Sequence, residues 1–136
     1  MYPEELVLPM RKQLTDQGFS ELITINDVDN MIDNNGTTLV VVNSVCGCAA
    51  ANARPGAINS LSNEKKPDHL TTVFAGVDRE AVEKVRYYLA PFPPSSPAIA
   101  LFKNGELVHM LERHHIEGRS AEIISENLKG AYNDHC

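Results

Sequence analysis

Apolar residues recur along this chain with two different periods, and the switches between them mark out its elements. Leu6, Val7, Met10 and Leu14 fall on one face of a first helix of roughly four turns, opened near Pro3 and closed by Gly18. Leu22-Ile23-Thr24-Ile25 reads as a short strand. Asn26 or Asp27 then caps a small helix carrying Val28, Met31 and Ile32, which stops near Asn35-Gly36. Thr37 to Asn43, built around the aliphatic run Leu39-Val40-Val41-Val42, has the composition of a strand buried on both faces and is the expected central strand. Beyond Cys46 the pattern is helical to about Leu61. Arg54-Pro55-Gly56 interrupts it, and an interior proline costs about 3 kcal/mol, so a kink is expected there.

Leu70 to Ala75 is the next strand, and Asp78 caps a helix whose inner face holds Val82, Val85 and Leu89. The stretch Pro91-Phe92-Pro93-Pro94-Ser95-Ser96-Pro97 cannot continue a helix and forms a stiff loop. Ala98 to Phe102 and Leu107 to Leu111 are strands, and Lys103-Asn104-Gly105-Glu106 between them carries the Asn-Gly signature of a tight hairpin. Ser120 caps a closing helix with Ile123, Ile124, Leu128 and Ala131 facing inward, ahead of a frayed tail from Tyr132 to Cys136. Alternating strands and helices followed by a hairpin predict an α/β fold. Its mixed, mostly parallel five-stranded sheet has helices on both faces and an extra N-terminal helix. Residues 1–136 make one domain, with 1–18 a helical extension and 19–132 the core.

Composition narrows the class. A chain of 136 residues can bury a core without disulfide staples, and 12 Lys/Arg against 18 Asp/Glu give a net charge of −6. That balance argues against a nucleic-acid partner. The longest aliphatic run, Leu39 to Val42, is far too short to span a bilayer, and no membrane partner is expected. The opening Met-Tyr-Pro-Glu-Glu has neither a basic n-region nor an apolar h-region, so the expected location is the cytoplasm. In that compartment three cysteines do not make a structural framework, and a close pair is read as redox-active or metal-binding.

The pair is Cys46-Gly47-Cys48, placed where the central strand ends at Asn43-Ser44 and an alanine-rich helix begins. Unpaired N–H groups and the positive end of the macrodipole favour a thiolate at such a junction, and Cys46 comes first. On a helix, residues two apart point to nearly opposite sides. On a strand their Cβ atoms stand too far apart, so a Cys46–Cys48 disulfide needs an irregular turn, which Gly47 permits. The spacing predicts a strained, readily reduced bond and a more oxidising couple than a Cys-x-x-Cys reductase. Two other classes use the same residues. One is a soft-metal protein binding Cu(I) or Zn²⁺ through the pair with His114, His115 or Cys136, although the spacing matches no standard structural zinc pattern. The other is a non-catalytic interaction domain, against which the presence of both thiols argues. His69, His109, His114 and His115 read as solvated, and Cys136 as an incidental exposed thiol.

Without its first helix, the element order resembles the thioredoxin fold, in which a redox cysteine pair follows a central strand and a cis-proline precedes the hairpin. More narrowly, Asn43-Ser44-Val45-Cys46-Gly47-Cys48-Ala49, Ala53-Arg54-Pro55, Val73-Phe74-Ala75-Gly76, Pro93-Pro94-Ser95-Ser96-Pro97 and Glu112-Arg113-His114 resemble the bacilliredoxin family, in order, from about Glu21 to Gly118. The resemblance implies a cytosolic thiol-disulfide oxidoreductase that takes bacillithiol off mixed disulfides on oxidised client proteins, with weak disulfide isomerase activity. It implies Cys46 as attacking thiol, Cys48 as its partner, Pro97 in the cis form and the Ser96 backbone beside the substrate. No bound cofactor or metal is implied, only the small thiol as co-substrate. Two features depart from thioredoxin: the strand Leu39-Val40-Val41-Val42 lacks thioredoxin's buried acid, and Val45 stands where thioredoxin has an aromatic residue.

Overall fold

A computed structural model describes residues 2–136; Met1, the first residue of the expected domain, lies outside them. The elements run α1 (Glu4–Thr15), β1 (Ser20–Glu21), α2 (Ile25–Asp33), β2 (Thr37–Asn43), a π-helical turn (Ala49–Ala53) leading into α3 (Arg54–Ser60), β3 (His69–Phe74), α4 (Arg79–Leu89), β4 (Ala98–Lys103), β5 (Glu106–Leu111), α5 (Arg113–Ile116) and α6 (Ala121–His135). The five strands lie in the order β1-β3-β2-β4-β5. β3 runs parallel to both β1 and β2, while β4 is antiparallel to β2 and to β5.

β2 is buried at every position, and its alternate side chains feed two cores. Leu39 and Val41 join Leu14, Ala53, Ala57, Leu128 and Tyr132 on one face; Val40 and Val42 join Val28, Met31, Val82 and Val85 on the other. The first helix therefore covers its own sheet through Leu14. Its inward face differs from the sequence reading, because Leu6 is exposed and the buried position is taken by Arg11. Arg11 holds both oxygens of Asp78 at 2.9 Å, Glu21 at 2.9 Å and Glu4 at 3.1 Å. The Asp78 hydrogen bonds drive its pKa well above the ordinary arginine value against the opposing pull of burial.

Three expectations at element ends are corrected. The first strand is Ser20–Glu21, not Leu22 to Ile25, because Thr24 caps α2. Thr24 Oγ1 accepts from the Asp27 N–H at 3.1 Å while the Asp27 carboxylate accepts from the N–H groups of Ile23 and Thr24, so the chain turns helical at Ile25 and leaves Ile23 and Ile25 exposed. Asp78 precedes α4 but its side chain makes no cap, being committed to Arg11 and to the Phe74 N–H at 3.1 Å. The C-terminal tail is not frayed. α6 continues to His135, with Tyr132 fully buried and its hydroxyl 2.8 Å from Ser60 Oγ, and burial pushes the phenol up to about 12. Ile123, expected to face inward on the same helix, is exposed.

The proline interruption is absorbed by the π turn. The Arg54 N–H reaches back five residues to the Ala49 carbonyl, which widens the helix just before Pro55. A ring with no N–H thus enters at the start of α3, where it costs least. α3 then packs against α6 so closely that a Cβ on Gly56 would stand 2.8 Å from Ile124 Cβ. Gly56→Ala is expected to destabilise the fold by about 1–3 kcal/mol through overpacking. A urea titration with an unchanged midpoint would show that the two helices have room to spare. At the hairpin, Asn104 and Gly105 take φ of 50° and 83°, the pair of positive values that the Asn-Gly signature predicts.

Candidate active site

The site lies at the C-terminal end of β2, where the two cores meet the surface. Asn43 closes the strand, and its Oδ1 accepts the Ser44 N–H at 2.8 Å. Ser44 Oγ in turn accepts the Cys46 N–H at 3.1 Å. These short side-chain caps replace the strand ladder and turn the chain sharply into the helix. The Cys46 carbonyl then accepts from Ala49 and Ala50, at 3.0 and 3.3 Å, which begins the helical hydrogen bonding.

Cys46 and Cys48 are joined in a disulfide with their Cα atoms 5.4 Å apart. The two cysteines differ in burial. Cys46 is half-buried, whereas Cys48, the residue that opens the π turn, is 9% exposed. Cys46 Sγ also accepts the Cys48 N–H at 3.3 Å, so the sulfur of the more exposed cysteine faces an amide N–H at the helix start. Gly47 is exposed, its φ is not in the left-handed region, and a Cβ there would meet nothing within 4 Å. The irregular turn expected between the cysteines is not found: Gly47 and Cys48 already lie in the helical start, Cys48 at φ -70° and ψ -22°, so the disulfide spans the first helical residues. What the glycine supplies is an open face over the sulfurs, since the turn itself has space for a Cβ.

Ser96 and Pro97 arrive from β4. Val42 pairs with Ala98, and continuing that antiparallel register by one residue sets Pro97 against Asn43, three positions before Cys46. The Ser96–Pro97 peptide is cis, as is Ala90–Pro91. Cys46, Gly47, Cys48, Ser96 and Pro97 thus share one end of the sheet. Beside Ser96 opens a groove of about 480 Å³ lined by Arg86, Pro94, Ser95, Arg113 and His114. The Arg113 N–H donates to Ser95 Oγ at 2.7 Å and its guanidinium reaches the Ser96 carbonyl at 3.4 Å, while Glu117 pairs with the same guanidinium at 3.0 Å.

The remaining candidates fall elsewhere. His114 and His115 sit on the short exposed helix α5, and their ring nitrogens come within 4.8 Å of a Glu112 carboxylate oxygen. His115 Nδ1 already accepts the Glu112 N–H at 3.0 Å, and among the described residues none of Cys46, Cys48 or Cys136 joins that group. His109 Nε2 lies 2.7 Å from Asn127 Oδ1, and Cys136 is exposed at the end of α6.

Two residues behind the site, Asn43 and Arg54, stand in the motifs that carry the resemblance, but the sequence assigns them no role. Arg54, 2% exposed, sends Nη1 to Asn43 Oδ1 at 2.8 Å and to the Ser44 carbonyl at 2.9 Å, and its Nε donates to Gln13 Oε1. Asn43 Nδ2 ties the strand end to the Met10 carbonyl of α1 at 3.2 Å. The available signal was a lone arginine among small residues, Ala53-Arg54-Pro55-Gly56-Ala57, on a face too poor in polar partners for a solvated cation. Burial pulls the Arg54 pKa below the ordinary arginine value.

Comparison with known proteins places these features in a family. The chain matches the family described as disulphide isomerase over residues 2–136. It is 58% identical over 134 residues to a bacilliredoxin of Cytophaga hutchinsonii, covering 98% of this chain and 99% of that protein. To a bacilliredoxin of Halalkalibacterium halodurans it is 55% identical over 136 residues, covering 99% and 94%. Among solved structures, mitochondrial thioredoxin 3 of Saccharomyces cerevisiae in its oxidised form aligns with a TM-score of 0.59 at 15% identity over 90% of this chain and 98% of that one. The thioredoxin of Fasciola hepatica gives 0.59 at 18% identity, over 87% and 100%. These two likenesses establish the thioredoxin fold.

Proposed function

Because this chain belongs to the bacilliredoxin family and is a thiol-disulfide oxidoreductase, we propose that it removes bacillithiol, or a similar small thiol, from mixed disulfides on oxidised client proteins in the cytoplasm. Cys46 is the attacking thiol and Cys48 resolves. The observation that supports this assignment is the unequal burial of the two cysteines, Cys46 the more exposed with its sulfur accepting the Cys48 N–H, and Cys48 buried.

In the reaction, the Cys46 thiolate attacks the sulfur of the small thiol within the client disulfide. A new sulfur–sulfur bond forms between Cys46 and the small thiol, the old bond breaks, and the electron pair leaves on the client sulfur as a reduced thiolate. Cys48, as thiolate, then attacks Cys46, expels the small thiol and leaves the internal disulfide, which is the state of this structure. A second molecule of small thiol can instead attack the mixed disulfide, giving the symmetric disulfide and free Cys46. The segment at Ser96–Pro97 borders the reacting sulfurs and gives the client chain a backbone edge to lie against. Weak isomerase activity follows from the same attack on a client's own disulfide.

Trapping tests the order of events. Cys48→Ser protein mixed with a client carrying bacillithiol is expected to accumulate one adduct, of Cys46 with the small thiol, by intact mass. An adduct of Cys46 with the client, or none, would overturn the assignment of which sulfur is attacked.

A further inference from the structure

We infer that Arg54 is a positioning residue for the exchange reaction, a buried cation whose missing counter-charge is supplied by the Cys46 thiolate in the reduced protein. The proposal rests on Cys46 being the attacking sulfur.

The geometry points to this role because the guanidinium is nearly sealed from solvent and its acceptors are all neutral: Asn43 Oδ1, the Ser44 carbonyl and Gln13 Oε1. Among the described residues, no ion pair includes Arg54, whereas the other buried arginine, Arg11, is bound by three carboxylates. Burying a full charge on neutral dipoles alone is unfavourable, and a neutral side chain of similar shape could make the same hydrogen bonds. A cation at this position therefore has its effect where a negative charge appears. The same Ser44 that accepts from Arg54 through its carbonyl receives the Cys46 N–H on its hydroxyl, so the guanidinium and the Cys46 backbone are tied to one residue. The guanidinium is almost wholly shielded from solvent, so its field is screened less than that of an exposed charge.

The surrounding charges do not substitute for it. Lys12 of α1 and Asp16 just beyond its end line the cavity beside Arg54 and oppose each other in sign. Arg113 lies across the Ser96 segment and is paired with Glu117; the backbone carbonyl of Arg119 accepts from Asn52 on the π turn. Arg11 is occupied by its acids.

The test uses the full chain with Cys48→Ser and Cys136→Ser, so that only Cys46 reacts, and follows alkylation rate against pH. Arg54→Gln is expected to raise the Cys46 pKa by about one unit, a tenfold loss of thiolate at a pH below it. Arg54→Lys should stay within about a quarter of a unit of the parent. Gln13→Glu provides a second route that leaves Arg54 in place. A carboxylate on Nε neutralises the buried cation without removing a packing atom, so the Cys46 pKa should rise again while thermal stability holds or improves. In the chain with both thiols, either substitution should shift the Cys46–Cys48 midpoint toward more reducing values, about 30 mV for each tenfold change. A Cys46 pKa unmoved by Gln13→Glu, or an Arg54→Lys protein that titrates like Arg54→Gln, would overturn the role of the charge. A parent Cys46 no more acidic than a free thiol, pKa about 8.5, would remove the attacking role itself and the proposal with it.

Discussion

Cys46→Ser is expected to abolish turnover on a bacillithiol-modified client, to the uncatalysed background and by on the order of 10³-fold or more, while Cys48→Ser retains the first half-reaction. A serine hydroxyl keeps the shape of the turn but is not ionised at neutral pH, so neither the Cys48 N–H nor the helix start has an anion to stabilise. Cys48, 9% exposed, is not expected to take over the attack on a protein-sized partner. The asymmetry between the two variants is the informative part. Loss of turnover in Cys46→Ser with a single, rapid release of reduced client by Cys48→Ser supports the assignment of attacker and resolver. Equal loss in both would mean that the client is released only when the internal disulfide forms. Folding is controlled by comparing urea midpoints of the reduced proteins, which should differ little between parent and variants.

What the sequence made legible follows from how strongly each local pattern constrains the chain. Four aliphatic residues in succession, three of them valine, favour a strand buried on both faces, and β2 runs from Thr37 to Asn43 as read. Asn104-Gly105 leaves the chain few alternatives to a two-residue hairpin, and Val82, Val85 and Leu89 repeat with a helical period that nothing contradicts. At Leu22 to Ile25 the β-branched composition favours a strand, but the capping chemistry of Thr24 and Asp27 prevails over these four residues and leaves two isoleucines in solvent.

The site divides in the same way. Cys46 and Cys48 announce themselves through a strand end, a glycine and a helix start. Pro97 is different: local sequence favours a trans bond, and only the family resemblance pointed to the cis peptide found there. The polar layer behind the cysteines was least legible. Arg11 and Arg54 occupy core positions that charge usually excludes, and their partners Asp78, Asn43 and Gln13 come from segments far apart in sequence. No periodicity links residues 11 and 78. The inward spacing Val7, Arg11, Leu14 was a clue, and an arginine there demands an acid somewhere in the fold.

That demand sets the largest expected stability effect. Arg11→Ala should destabilise the protein by about 3–5 kcal/mol, because it strips a bidentate partner from Asp78, whose side chain is only 7% exposed. The loss compounds three ties. Arg11 joins α1 to the end of β1 through Glu21, to the turn before α4 through Asp78, and lies 5.4 Å from the centre of the Phe74 ring. Among the described residues, Asp78 would keep only the Phe74 N–H to offset its charge. A fall in Tm of more than about 10 °C is expected. Arg11→Lys should recover part of it, since a lysine restores the charge and cannot reproduce the two-pronged contact with Asp78. The double variant Arg11→Ala, Asp78→Ala is the decisive comparison. With the orphaned carboxylate gone, it should be no less stable than Arg11→Ala alone, so the two losses are far from additive. Additive losses, or a cost below about 1 kcal/mol for Arg11→Ala, would mean that the pair is solvated and that α1 is held to the core by Val7 and Leu14.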